Sequence, residues 1–195
     1  MAQQMPNPIE LYEAASQGFR QTLSGVKPDQ MSNSTPCTLW SVQALINHNI
    51  KVTGFALGML TENITVNPKE VSGRLPAEGA VEALDAGVAK VLELMKQEGS
   101  ASMKIGTPFG QMTRGECLMA PIMDLLIHKW DLAKGTDQNT TLDSGLVQVI
   151  HDAFAPQMEG LRKMDFGGPI YGPEVSVPAD ASLQDKVIAM MGRQP

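Results

Sequence analysis

Cysteine is scarce in this chain. Cys37 and Cys117 are the only two in 195 residues, which rules out a disulfide framework and fits free thiols in a reducing cytoplasm. Clustered positive charge is missing as well. The net charge is −6 and no run of Lys and Arg stands out, so the phosphate neutralisation on which nucleic-acid binding rests is not available. Anionic membrane surfaces are disfavoured on the same ground. No apolar run approaches the roughly 20 residues that span a bilayer. The opening MAQQMPNPIELYEAA has no basic segment followed by an apolar one, so no signal peptide is expected. Internal repeats and low-complexity segments are absent too.

What is present suits a packed core. Hydrophobic residues make up 43% and charged residues 18%, ordinary proportions for a soluble domain, and the length predicts a single domain over 1–195. Asn7, Pro8 and Glu10 form a helix start. Ile9, Tyr12, Phe19 and Leu23 then mark one face of a helix running to about residue 26. A second helix is expected over 39–60, with Leu45, His48, Val52 and Phe55 on its apolar face and Gln43, Asn47 and Lys51 on its polar one. Val81, Leu84, Val88, Val91 and Met95 predict a third, to about residue 97. The stretch ASMKIGTPFGQMTR breaks the period with Gly106, Pro108 and Gly110, so a short hairpin or extended loop is expected.

The fourth helix ends near Gly135 and has two possible starts. Thr113 and Glu116 can form a capping box, which leaves Pro121 inside the helix, or the regular helix begins near Pro121 itself. A fifth helix is expected over 143–163, then a Gly- and Pro-rich surface segment, then a short closing helix over 183–191. The fold class is all-α: a four-helix bundle with a C-terminal extension.

The run MDLLIHKWDLA, residues 123–133, carries polar residues where a core helix should be apolar. At about 100° per residue, Asp124, His128 and Asp131 share a narrow sector walled by Met123 and Ile127 on one side and Leu125 and Leu132 on the other. Lys129 and Ala133 fall towards solvent. His48 sits on the apolar face of the second helix, so two helices each aim a histidine inward. A His and a carboxylate four residues apart can share one ion, and a second His from a facing helix completes a two-His, one-carboxylate set with open positions. The competing reading of the same spacing is a hydrogen-bonded core histidine beside a helix-surface pair. Asp131, next to Trp130, suits a supporting hydrogen bond to a ligand. His151 reads as surface, and Cys37 and Cys117 as inert.

Three blocks carry a resemblance to a known family. TPCTLWSVQALINH, residues 35–48, resembles a T-x-C-x-x-W-x-V-x-x-L-x-x-H segment of the DinB-like superfamily, in the branch related to the N-terminal domain of mycothiol-dependent maleylpyruvate isomerase. DLLIHKWDLAKGT, residues 124–136, is similar to that branch's D-x-x-x-H-x-W-D-L-A-x-x-T, and VSVPADASLQDKVIAMMGRQP to its V-P-x-x-A…G-R-x-P ending. The resemblance implies a DinB-like bundle with a divalent metal at His48, Asp124 and His128: zinc first, with nickel, iron and manganese as alternatives. Many superfamily members have His or Glu where this chain has the shorter Asp124.

The resemblance also implies a low-molecular-weight thiol as cofactor or co-substrate. The expected function is a metal-dependent thiol S-transferase or thiol-dependent isomerase acting on a small molecule. The alternative is a non-catalytic metal- or ligand-binding bundle, a sensor or stress factor. Self-association as a homodimer is a further expectation.

Overall fold

The computed structural model describes residues 7–38, 40–107, 110–164 and 171–195. Leu39, where the second helix was expected to begin, residues 108–109 and part of the Gly- and Pro-rich segment (165–170) lie outside the described residues. The chain divides into two compact units, 1–140 and 141–195.

The first unit holds helices α1 (Pro8–Ser24), α2 (Val42–Leu60) and α3 (Ala80–Met95), strands β1 (Lys104–Thr107) and β2 (Gly110–Thr113), a single turn α4 (Arg114–Cys117), and α5 (Met119–Gly135). Caps written into the sequence set the starts. Asn7 accepts from the Ile9 amide at 3.0 Å, and Ser41 accepts from Ala44, which moves the start of α2 to Val42. The two strands pair antiparallel with Ile105 opposite Met112. Both expected starts of the fourth helix are used. Thr113 and Glu116 close a capping box around α4, the helix is interrupted at Leu118, and α5 starts at Met119 with Pro121 in its first turn. An amide there has no intrahelical acceptor in any case, so the proline removes no bond.

Helix α1 packs on α3 and α5, and α2 packs on the same two helices, which closes a four-membered ring. Named contacts fix the directions. Arg20 meets Asp85 at 2.8 Å and Lys96 meets Glu13, so α1 and α3 are antiparallel. Arg114 Nε donates to Leu60 O at 2.8 Å, just ahead of α5, while Gly135 at its far end abuts Val42; α2 and α5 are antiparallel. Pro8 lies beside Gly115, and Gln138 Nε2 donates to Thr22 O at 2.9 Å, so α1 and α5 run together. Helices α2 and α3 must then be parallel, which requires a crossover connection.

Residues 61–79 make that crossover by lying back along α2. Gln43 Nε2 donates to Gly73 O at 2.7 Å, Asn47 Nδ2 to Val71 O and Gly73 O, and Lys51 Nζ to Glu70 O. These three residues, expected to form the polar face of the helix, satisfy carbonyls of a strand-less segment that has no ladder of its own. Gly58 lets the crossover approach the helix: a Cβ there would stand 2.9 Å from Asn63 O.

The core is built from Tyr12 and Phe19 of α1, Leu45 and Ile46 of α2, Leu84 of α3 and Trp130 of α5, all fully buried. Helix α5 is buried on nearly every side. Ala133, expected near solvent, is 0% exposed, because the helix is flanked by α1 and α2 together. No helix among the described residues is long and apolar enough to cross a membrane.

The second unit contains α6 (Ser144–Phe154), α7 (Met158–Arg162) and α8 (Leu183–Met190). The continuous helix expected over 143–163 is broken. Residues Ala155–Gln157 form a 3-10 turn, because Pro156 has no amide to give and its ring blocks the carbonyl one turn back. Asp143 caps α6 and Ser182 caps α8, and α6 packs on α8.

Candidate metal centre

His48 lies in the middle of α2, and Asp124 and His128 face it from α5, one helical turn apart. His48 Nε2 is 3.0 Å from Asp124 Oδ2, and His128 Nε2 is 3.5 Å from Asp124 Oδ1. One potential ligand atom from each of the three residues falls within 4.8 Å of the other two. Among the described residues this is the only group of three or more His, Cys, Asp and Glu side chains so placed. The histidine side chains are 8% and 6% exposed, whereas Asp124 is 29% exposed, so the cluster opens to solvent on the carboxylate's side.

The far nitrogen of each ring is already committed. His48 Nδ1 lies 2.7 Å from the Pro68 carbonyl in the crossover. A carbonyl can only accept, so Nδ1 carries a hydrogen and the neutral ring turns the Nε2 lone pair towards Asp124. His128 Nδ1 lies 2.9 Å from Asp131 Oδ2, and the fully buried Asp131 fixes the same tautomer there. Two lone pairs converging on a carboxylate repel it, unless a cation or additional protons intervene.

With protons as the counter-charge, the electrostatics are those of a tightly coupled cluster. Burial alone would raise the Asp124 carboxyl, but the His48 and His128 charges and their hydrogen bonds outweigh it and hold Asp124 well below the usual carboxylate range. Burial alone would lower His128. The Asp124 charge and the hydrogen bonds His128 donates to Asp124 and Asp131 overcome that and push it up to about 9. The donor set also fits a divalent cation: two imidazole nitrogens and one carboxylate, with both second nitrogens held by acceptors, suit zinc and its first-row neighbours.

Trp40 completes the surroundings. Its ring centroid lies 4.3 Å from that of His48 and 5.5 Å from that of His128. Thr35 Oγ1 donates to the Trp40 carbonyl at 2.9 Å, which ties down the loop before α2. Neither Trp40 nor the Pro68 carbonyl was singled out from the sequence as part of the site. The tryptophan left a trace in the TPCTLW block, whereas a backbone carbonyl leaves none.

Cys117 ends α4, before the interruption at Leu118. Burial, with the neighbouring Glu116 charge, pushes its thiol up, and it does not join the cluster. Cys37 is half-buried and free of disulfide. His151 lies on α6 in the other unit, partly exposed beside Asp152 at 3.2 Å.

The four-helix bundle, with a crossover between its second and third helices, is of the DinB-like class. The chain belongs to the mycothiol maleylpyruvate isomerase N-terminal domain family, whose profile matches residues 12–133. That span includes His48, Asp124, His128 and Asp131.

Two uncharacterised proteins from two strains of Mycobacterium tuberculosis are each 29% identical over 191 residues, covering 96% of this chain and 98% of theirs. A crystal structure of a mutant mycothiol-dependent maleylpyruvate isomerase matches with a TM-score of 0.60 at 17% identity. The match covers 85% of this chain and 72% of that one. At that identity the likeness speaks for the fold.

Proposed function

We propose that the protein is a divalent-metal-dependent thiol enzyme, a thiol S-transferase or thiol-dependent isomerase, with His48, Asp124 and His128 as metal ligands. The observation that carries this reading is the convergence of two imidazole Nε2 atoms on one carboxylate, each ring with its Nδ1 already engaged. Zinc is the first choice for this donor set, with nickel, iron and manganese as alternatives. A small-molecule thiol enters as co-substrate class through the structural neighbour, which is by its title mycothiol-dependent. Cys37 and Cys117, neither of them in a disulfide, fit a cytoplasmic setting.

When bound, the ion supplies Lewis acidity that favours the thiolate over the thiol of a coordinated co-substrate. The chain's own residues do the positioning. Asp131 and the Pro68 carbonyl hold the two rings in the tautomer that offers Nε2. Trp40 lies against both rings and restricts water there. Asp124, the most open of the three, marks the side from which a small molecule reaches the centre. No protein nucleophile is required, because the thiol supplies it.

The test is turnover. Zinc-loaded protein given a low-molecular-weight thiol and a panel of electrophiles is expected to consume the electrophile only when both metal and thiol are present, and His128→Ala is expected to abolish this. Stoichiometric metal without thiol-dependent turnover would return the non-catalytic binding bundle instead. The reading treats 1–195 as one domain. A single cooperative unfolding transition supports that, and two separated transitions oppose it.

A further inference from the structure

The second compact unit contains a cleft that the metal centre does not use. It measures about 300 Å³, room for about ten water-sized groups and at the small end of ligand sites. Its walls come from three elements: His151 of α6, Arg162 of α7, and Lys186 of α8, with Glu174 from the segment between the last two. Met158 and Met190 also line it, although they are only 2% and 5% exposed. Buried thioethers make an apolar floor that adapts to what lies on it.

The charges in the cleft are not balanced evenly. Glu174 Oε2 is held by Arg162 Nη2 at 3.2 Å, and Glu159, on the rim, is held by Lys163 at 2.7 Å. Arg162 is also anchored by the carbonyls of Gly172 and Met190, which fixes the guanidinium and leaves Nη1 without an acceptor among the described residues. Lys186 has no partner among them either. The cleft therefore keeps one uncompensated ammonium beside a rigid guanidinium edge, over an apolar floor.

We infer that this cleft binds a small amphiphilic monocarboxylate, its carboxylate on Lys186 and Arg162 Nη1 and its apolar arm over Met158 and Met190. One free cation calls for one anionic group. A dicarboxylate would bring its second charge against Glu159 and Glu174, and an amine would meet Lys186 directly.

Hexanoate is a suitable probe, with hexanol and hexylamine as controls, read on the full-length protein through methionine-methyl NMR. Hexanoate is expected to shift the Met158 and Met190 methyl signals saturably and to bind at least ten times more tightly than either control. Lys186→Gln should weaken hexanoate about tenfold, the size of one lost charge-assisted hydrogen bond, with an unchanged melting temperature, and Lys186→Arg should restore it. The inference is overturned if the methyl signals do not saturate, if the alcohol or amine binds as well as the acid, or if Lys186→Gln binds unchanged. His128→Ala, which breaks the metal centre, should bind hexanoate like the wild type. Loss of binding in that variant would move the site out of this cleft and count against the inference.

Discussion

Helices α5 and α6 each carry a histidine with an aspartate in reach, and the two pairs behave differently. On α5, His128 stands 2.9 Å from Asp131 and both side chains are buried, at 6% and 0% exposure. On α6, His151 stands 3.2 Å from Asp152 at 34% and 61% exposure. The pairs differ in spacing, three residues apart on α5 and adjacent on α6, but their contact distances are close, and the larger difference is in their surroundings. Water around α6 screens the interaction and competes for both partners. On α5 the bundle removes the water, adds Asp124 on the ring's other nitrogen, and brings a second histidine from α2. Burial turns an ordinary helix pair into a site.

The largest effect expected from breaking this contrast is Asp131→Ala. It strands a buried, charged His128 with one partner fewer and should cost about 3 kcal/mol in urea unfolding of the metal-free protein. Asp131→Asn, whose amide oxygen still accepts from Nδ1, should cost less, and Asp152→Ala should leave the midpoint where it was. Equal effects from Asp131→Ala and Asp152→Ala would remove the distinction between the two helices.

A second contrast concerns packing. A Cβ on Gly87 of α3 would stand 1.9 Å from Thr53 Oγ1 and 2.7 Å from its Cβ, so α2 and α3 must separate to admit it. Gly87→Ala is expected to destabilise by about 2 kcal/mol.

The dependence on pH should follow the α5 cluster. The folded-state pKa of His128 is raised to about 9 from an ordinary value near 6.5. Its contribution is therefore fully present below about 6.5 and is lost as pH rises through 9. The depressed Asp124 carboxyl contributes above the ordinary carboxylate range, and its share is lost as pH falls through its native value. Metal-free protein should accordingly lose stability between pH 7 and 9. Over the same window metal affinity should rise, because the ion must displace the His128 proton. Urea midpoints and metal titrations at pH 6, 7, 8 and 9 check both slopes, and His128→Ala should flatten the first.

The smallest effect is the counterpart of Gly87 in the second unit. Nothing lies within 4 Å of a Cβ built on Gly160 in α7, so Gly160→Ala should stabilise by about 0.5 kcal/mol through the unfolded chain.

Much of the bundle is legible in the chain because local rules agree with the global fold. Asn7 and Thr113 cap the helices they precede, as their local sequence indicates, and the apolar stripes mark the buried faces. The long 143–163 helix was misread because Leu146, Ile150, Met158 and Leu161 stay in phase across Pro156, so periodicity carried past a backbone stop. Gln43, Asn47 and Lys51 are legible as a polar face, but not as partners of residues 70–73, because their acceptors are carbonyls of a distant segment and no side-chain pattern announces a crossover. The inward stripe of Asp124 and His128 could be read from the helical wheel, with His48 as its counterpart. Their orientation could not, since it depends on the Pro68 carbonyl and on Trp40 meeting them only in three dimensions.

The central claim is that His48, Asp124 and His128 hold one ion, and metal content tests it most directly. Elemental analysis of purified protein after equilibration with zinc and removal of the excess should give one ion per chain for wild type and for His151→Ala. It should give almost none for His48→Ala and His128→Ala, with folding of each variant checked by circular dichroism. Unchanged metal content in folded His128→Ala would contradict the account.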